Sequence, residues 1–251
     1  MAMKRFLLYS LLLLVSLSAS ASVDRWEAGN KAYIEGNYDK AIEEYSAILE
    51  GGEYSMKLYY NLANAYFKTG AIGKSILYYN KALRIAPSQE DVRHNLAIAE
   101  AQTKDRIAVI PEFFLNRWLR TVRNSMSCTA WSVLSLVAFG VLLAFALLFL
   151  LASHLRWRKM GFYGAMFAFL LFVAMTSFAV SARNDMLQHE EAIVMGSAIS
   201  VKSSPDRSAT DLFVLHEGTK VKVLSEVDEW VEVVIADGKK GWTLESNIEE
   251  I

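Results

Sequence analysis

Apolar residues follow four successive spacings along this chain, and each spacing predicts a different kind of element. A short apolar run, Phe6 to Leu17, stands behind Lys4 and Arg5. Between residues 24 and 106, apolar and polar positions repeat with the three-to-four-residue period of amphipathic helices. Trp131–Ala152 and Gly161–Ala182 then run for 22 residues each without a charge. Beyond residue 190 the period falls to two, as in Thr219–Leu224 and Glu229–Ile235, which predicts short half-buried strands.

The first run has the build of a targeting signal: a basic start, a short apolar stretch and the small residues Ser18-Ala19-Ser20-Ala21. Residues 1–21 are therefore expected to be a signal peptide cut after Ala21. The alternative is an uncleaved anchor. Either one exports the residues after it.

In the helical segment the text repeats with a period of 34. Ala32-Tyr33-Ile34-Glu35-Gly36-Asn37-Tyr38 precedes Ala41 and Tyr45, and Ala65-Tyr66-Phe67-Lys68-Thr69-Gly70-Ala71-Ile72 precedes Ser75, Tyr79, Ala82 and Pro87. Small residues let paired helices approach, aromatics fill the space between them, and Gly36 and Gly70 permit the turns. This period and residue set resemble the tetratricopeptide repeat. Residues 24–106 are expected to form an all-α array of two repeats plus a capping helix, Asp91 to Lys104. Such arrays bind protein segments in a concave groove lined largely by the first helix of each repeat. The groove positions here include Trp26, Asn30, Tyr33, Ile34, Tyr60, Asn61, Asn64, Phe67, Lys68, His94 and Ile98. Some relatives of this class grip a carboxylate with two asparagines and several cations. Asn30 and Asn61 match the asparagines, but the cationic places read Trp26, Asp91 and Asn95, so the charge-assisted half of that clamp is missing. Each aromatic serves equally well as packing between helices.

The two charge-free stretches, 131–152 and 161–182, are each long enough to cross a bilayer core of roughly 30 Å. The intervening residues 153–160 carry Arg156, Arg158 and Lys159 and predict a basic cytoplasmic turn. Arg117, Arg120 and Arg123 balance those charges on the other flank, so the exported N-terminus, not charge bias, orients the hairpin. Gly140, Gly161, Gly164 and Ala165 offer close helix contacts. Residues 112–123 place Phe114, Leu115, Trp118, Leu119 and Val122 at helical spacing between those arginines. This predicts an interfacial helix or, alternatively, further core beneath the array.

At the C-terminus, about five short strands in about 60 residues predict a small all-β barrel. Asp237-Gly238 marks a hairpin turn between two of them. The words Val201-Lys202-Ser203-Ser204-Pro205, Leu215-His216-Glu217-Gly218-Thr219, Trp230 and Asp237-Gly238-Lys239-Lys240-Gly241-Trp242-Thr243 resemble bacterial SH3 domains, over 190–251. Where peptide-binding relatives carry the Pro and Tyr of their proline-rich groove, this chain has Leu244 and Asn247. Phe213, Trp230 and Trp242 are candidates for a binding patch, with Phe213 and Trp242 as core the alternative reading.

Composition agrees with a multidomain membrane protein. Apolar residues make up 53% of the 251-residue chain, high for a soluble protein. Glu190–Ile251 holds 13 acids against 6 bases, a poor surface for nucleic acid. Neither charge-free stretch contains Asp, Glu, Lys, Arg or His, which argues against a transporter. The one cysteine, Cys128, makes no internal disulfide, and His94, His154, His189 and His216 show no metal-ligand spacing. No nucleophile motif or phosphate-cradling loop is present, so neither an enzyme nor a cofactor is expected.

The order of signal, short array, basic-turn hairpin and SH3-like tail resembles the BatE-like members of the Bacteroides aerotolerance (Bat) family. Asn61-Leu62-Ala63-Asn64-Ala65-Tyr66 and Asp237-Gly238-Lys239-Lys240-Gly241-Trp242 carry the likeness. The resemblance implies partners among other Bat membrane proteins, a MoxR-type ATPase on the cytoplasmic side, and a link to aerotolerance or envelope stress. The expected location is the inner membrane, with both soluble modules periplasmic. The expected function is that of an interaction scaffold or, as the alternative, a cell-wall-binding or sensing protein.

Overall fold

The computed structural model describes residues 22–108, 113–187 and 190–251. The expected signal segment lies outside these residues. Among the described residues there are eight α-helices and seven strands, in two compact units. One unit holds residues 22–82, 90–108 and 190–251, and the other holds 83–89 and 113–187.

The first unit begins with the repeat array. Helix α1 spans 22–34, α2 Tyr38–Glu50, α3 Met56–Thr69, α4 Ile72–Ile85 and α5 Glu90–Glu100. Local chemistry sets these limits. The Asn37 side chain accepts from Lys40 N at the start of α2, and Ser55 accepts from Leu58 N at the start of α3. Gly36 and Gly70 take φ of +78° and +83° at the turns after α1 and α3, a conformation that disfavours any side chain. The core joins Ala32, Ala41, Tyr45, Ile48, Leu58, Leu62 and Ala65, with Trp26, Tyr33 and Tyr66 packed against it. Gly29 is part of the same design: a Cβ there would stand 2.6 Å from the Tyr45 ring, so its absence lets α1 and α2 close up. The capping helix ends at Glu100, short of the expected Lys104.

The C-terminal part of this unit is one antiparallel sheet. Its strands are β1 Glu191–Val194, β2 Ile199–Lys202, β3 Asp211–Leu215, β4 Lys220–Val227, β5 Trp230–Val234, β6 Lys240–Leu244 and β7 Ile248–Glu250. They lie in the order β3-β2-β6-β5-β4-β1-β7. Val201, Leu215, Val221, Val231 and Val233 fill the core, each from the inward phase of its strand. The expected barrel does not close. β7 is three residues long and pairs with β1, while the outer edge of β3 has no strand beside it among the described residues. The expected set of about five strands becomes seven because 191–194 and 248–250 add a pair on the far side of β4.

The second unit contains α6 (Phe114–Arg123), α7 (Cys128–Leu151) and α8 (Leu155–Leu187). Both α7 and α8 are long and apolar enough to cross a membrane. They pack closely: a Cβ on Gly161 would fall 2.5 Å from Phe149 N, and one on Gly164 would fall 2.5 Å from the Phe145 ring. Gly140, also expected at a helix contact, has open space beside it. Ser135 and Thr176 share a 2.7 Å hydrogen bond between the helices, and Trp131 packs on Phe178 with ring centroids 4.9 Å apart. The expected 153–160 turn is mostly helix, since α8 begins at Leu155 and carries Arg156, Arg158 and Lys159 in its first turns. Arg and Lys are good helix formers, and nothing in that stretch breaks a helix before Gly161. Helix α6 packs on α8 within this unit, with Arg123 paired to Asp185.

Candidate binding surfaces of the array and the SH3-like domain

The first helices of the repeats carry a polar network that recurs with the 34-residue period. Tyr45 on α2 donates its hydroxyl to Asn30 Oδ1 on α1 (2.8 Å), and Asn61 Nδ2 on α3 donates to the same oxygen (3.1 Å). One repeat later, Tyr79 on α4 donates to Asn64 Oδ1 (2.5 Å), and Asn95 Nδ2 on α5 donates to that oxygen (3.1 Å). Asn95 Nδ2 also reaches Tyr60 Oη at 3.0 Å. Each trio ties three consecutive helices together. Burial pushes both tyrosine hydroxyls above their usual pKa, which keeps them protonated donors.

These bonds change what the asparagines can offer. The clamp positions Asn30 and Asn61 spend one oxygen and one amide on each other and on Tyr45. Among the described residues, these bonds do not use the Asn30 NH2 and the Asn61 carbonyl, nor the Asn64 NH2 and the Asn95 carbonyl. Each pair is one donor and one acceptor, the complement of a backbone amide. Around them, Tyr60 and Phe67 are half-buried, while Ile34, Lys68, His94 and Ile98 are exposed. Trp26 and Tyr33 contribute mainly as packing against the array core.

On the sheet, the three candidate aromatics do not form one open patch. Trp230 on β5 is buried, with 7% exposure. Phe213 on β3 is half-buried against the sheet core, and Trp242 on β6 is half-buried beside Lys202 in register. The exposed apolar residues nearby are Leu212 and Val214, on the open edge strand β3.

A third surface has no local signal in the sequence: the contact between array and sheet. Asp105, just past α5, accepts from His216 N (2.7 Å) and Thr219 Oγ1 (2.6 Å), and its other oxygen lies 2.7 Å from His216 Nδ1. Burial alone would raise this carboxyl, but the bonds from Thr219 and His216 hold it below the ordinary aspartate value. Glu217 Oε1 accepts from Gly73 N at 2.8 Å, placing a negative charge at the N-terminus of α4, where the helix dipole favours it. A Cβ on Gly73 would collide with Glu217 Cγ, and one on Gly218 would meet Thr103 and Ile76 at 2.8 and 2.9 Å. Lys74 pairs with Glu249, and Ile107 packs against the sheet core. The word Leu215-His216-Glu217-Gly218-Thr219, which carries the likeness to SH3 domains, is thus spent on holding the array. These contacts use α4 and residues 103–107, leaving the α1, α3 and α5 groove positions outside them.

Among the described residues, no group of three His, Cys, Asp or Glu side chains is placed to hold a metal ion.

Residues 57–89 match the tetratricopeptide repeat family, and residues 197–249 match the bacterial SH3 domain family. No curated protein matches the chain. Both module classes are built for interaction: repeat arrays present extended concave surfaces, and SH3-type folds bind peptides.

Proposed function

We propose that this protein is a membrane-anchored scaffold whose array and SH3-like domain work as one rigid binding body. The carrying observation is the contact centred on Asp105, His216, Glu217 and Gly73, which makes the two interaction modules a single unit. Because that contact joins residues on either side of α7 and α8, it supports a hairpin that crosses the membrane twice and keeps both modules on one face. The basic start of residues 1–21 supports the periplasmic face of an inner membrane. The array groove, with its paired amide donors and acceptors, suits an extended or helical protein segment hydrogen-bonded through its backbone. The module order supports partners of the Bat type, in an envelope complex linked to aerotolerance or stress. We infer no catalytic role and no resident cofactor.

Crosslinking followed by pull-down from membranes tests this reading. The intact chain should recover envelope partners that Tyr60→Ala with Phe67→Ala loses, while the folded unit persists by circular dichroism. Recovery of the same partners from both chains would remove the groove as the binding site.

A second reading, cell-wall binding through the SH3-like domain, is supported by the match over 197–249 and by the exposed β3 edge. Co-sedimentation of the full chain in detergent with purified wall discriminates the two. Binding that survives the array substitutions but fails with Leu212→Asp and Val214→Asp would favour the wall.

A further inference from the structure

Helix α8 opens with Arg156, Arg158 and Lys159 and has no acid in its first turn. The helix dipole works against cations at that end. No Asp or Glu occurs anywhere from residue 113 to residue 184. The next acid, Asp185, pairs with Arg123 and stands roughly 40 Å along the helix from Arg156. The three bases differ in what they touch. The Arg158 guanidinium lies 5.6 Å from the centre of the Phe149 ring on α7. That of Arg156 lies 6.0 Å from the Trp157 ring, a contact that uses its flat face and leaves the N–H donors along its edge. Among the described residues, neither Arg156 nor Lys159 has an acidic partner.

The helix phase puts these two cations on one side. Gly161, Gly164 and Phe172 mark the face of α8 that packs on α7, against Phe149, Phe145 and Phe139. At about 100° per residue, Arg156, Lys159, Tyr163, Met166, Phe167 and Leu170 fall within an arc of about 100° on the opposite side. One strip thus runs from two cations, past a phenol, to apolar side chains, the order of headgroup, interface and acyl chain in a lipid. On the reading of α7 and α8 as membrane spans, on which this inference rests, Arg156 and Lys159 stand just outside the charge-free stretch that begins at Gly161, at the level of the headgroups. We propose that this strip is a binding site for an anionic phospholipid. Arg156 and Lys159 take its phosphate, and its acyl chains lie along Met166, Phe167 and Leu170. Residues three apart are neighbours on a helix surface, so both cations reach one phosphate. Charge selects an anionic over a zwitterionic headgroup, because no acid beside the two cations competes for them.

The test uses the full chain with Cys128→Ser and one new fluorophore-labelled cysteine, Met166→Cys on the strip or Leu147→Cys on α7. Each is reconstituted in an equal mixture of phosphatidylcholine and phosphatidylglycerol, with acyl bromines on only one of the two lipids. The label at 166 should be quenched several-fold more by brominated phosphatidylglycerol than by brominated phosphatidylcholine, and the label at 147 equally by both. Arg156→Gln with Lys159→Gln should remove the preference at 166, and Arg158→Gln should leave it. Equal quenching of the 166 label by both lipids, or a preference that survives the double substitution, would overturn the proposal in protein that resists alkaline carbonate extraction, while leaving the spans standing. The same preference at both labels would reduce the effect to general surface charge and also overturn it. Quenching at 166 that falls as the protein-to-lipid ratio rises would make a second copy the occupant. Loss of the preference in inorganic phosphate, but not in chloride of equal ionic strength, would make a free anion the ligand. Either result overturns the lipid assignment. Loss of the protein from vesicles in carbonate would remove the membrane reading and the proposal together.

Discussion

The array helices and the hairpin helices are turned inside out relative to each other. Helix α3 buries Leu58, Leu62, Ala63 and Ala65 and keeps its lysines outside. Helix α7 buries only Trp131, Ser135 and Ala138, and presents Leu136 and Leu150 outward, 71% and 72% exposed. In the array, the hydrophobic effect assembles helices and hydrogen bonds tune the fit. On the proposed reading of α7 and α8 as membrane spans, leucine there has no reason to hide, so small residues and the Ser135–Thr176 bond make the contact. The same secondary structure, read without its burial pattern, says little about the solvent it was built for.

That contrast can be broken by exchanging substitutions between the regions. The largest effect should come from Leu62→Ala, which empties a fully buried site and should cost about 2–5 kcal/mol in chemical denaturation of the array. Leu150→Ala, the same change on the hairpin's outer face, should leave helix packing unaltered. Leu143→Arg should cost about 2.5–3.5 kcal/mol of insertion, read as loss of the membrane-integrated fraction. Ile98→Arg, at an exposed site on α5, should be neutral.

A third change tests the contact within the first unit. Asp105→Asn should destabilise the joined array and sheet by about 1–3 kcal/mol at neutral pH. The sign of its pH dependence is set by the lowered Asp105 pKa. A carboxyl lower in the folded state than its unfolded value of about 3.9 contributes stability that is fully present above that value and is lost as pH falls through the folded one. The gap between wild type and Asp105→Asn should therefore close as pH drops below about 4. The smallest effect should be at Ser135–Thr176, where a double-mutant cycle with alanine should give a coupling of about 0.6 kcal/mol.

The sequence makes some of this legible and hides the rest for physical reasons. The 34-residue period locates Asn30, Asn61 and Asn64, because repeating helices repeat their phase. It does not reveal that the hydroxyls of Tyr45 and Tyr79 claim the asparagine oxygens, since that depends on a second helix crossing at hydrogen-bond distance. Arg156, Arg158 and Lys159 mark a basic segment correctly, but their charge suggests a turn where helix propensity prevails. Trp230 reads as a surface aromatic in the sequence, yet it is buried at 7% exposure although it stands on the opposite phase of β5 from the core residues Val231 and Val233, so period-two alternation alone could not predict its burial. Asp105 and His216 give no cue at all, because neither belongs to a motif that names the other.

Asp105 and His216 also constrain how the molecule comes into being. They lie 111 residues apart. During synthesis the array emerges long before the loop that must dock on α4 and Asp105 exists. Closing so long a loop is entropically costly and slow relative to folding the array alone. Both long hydrophobic helices must be made in the interval. The clasp can therefore form only after the intervening chain has left the ribosome, and its closure marks the moment when both long helices have already been made.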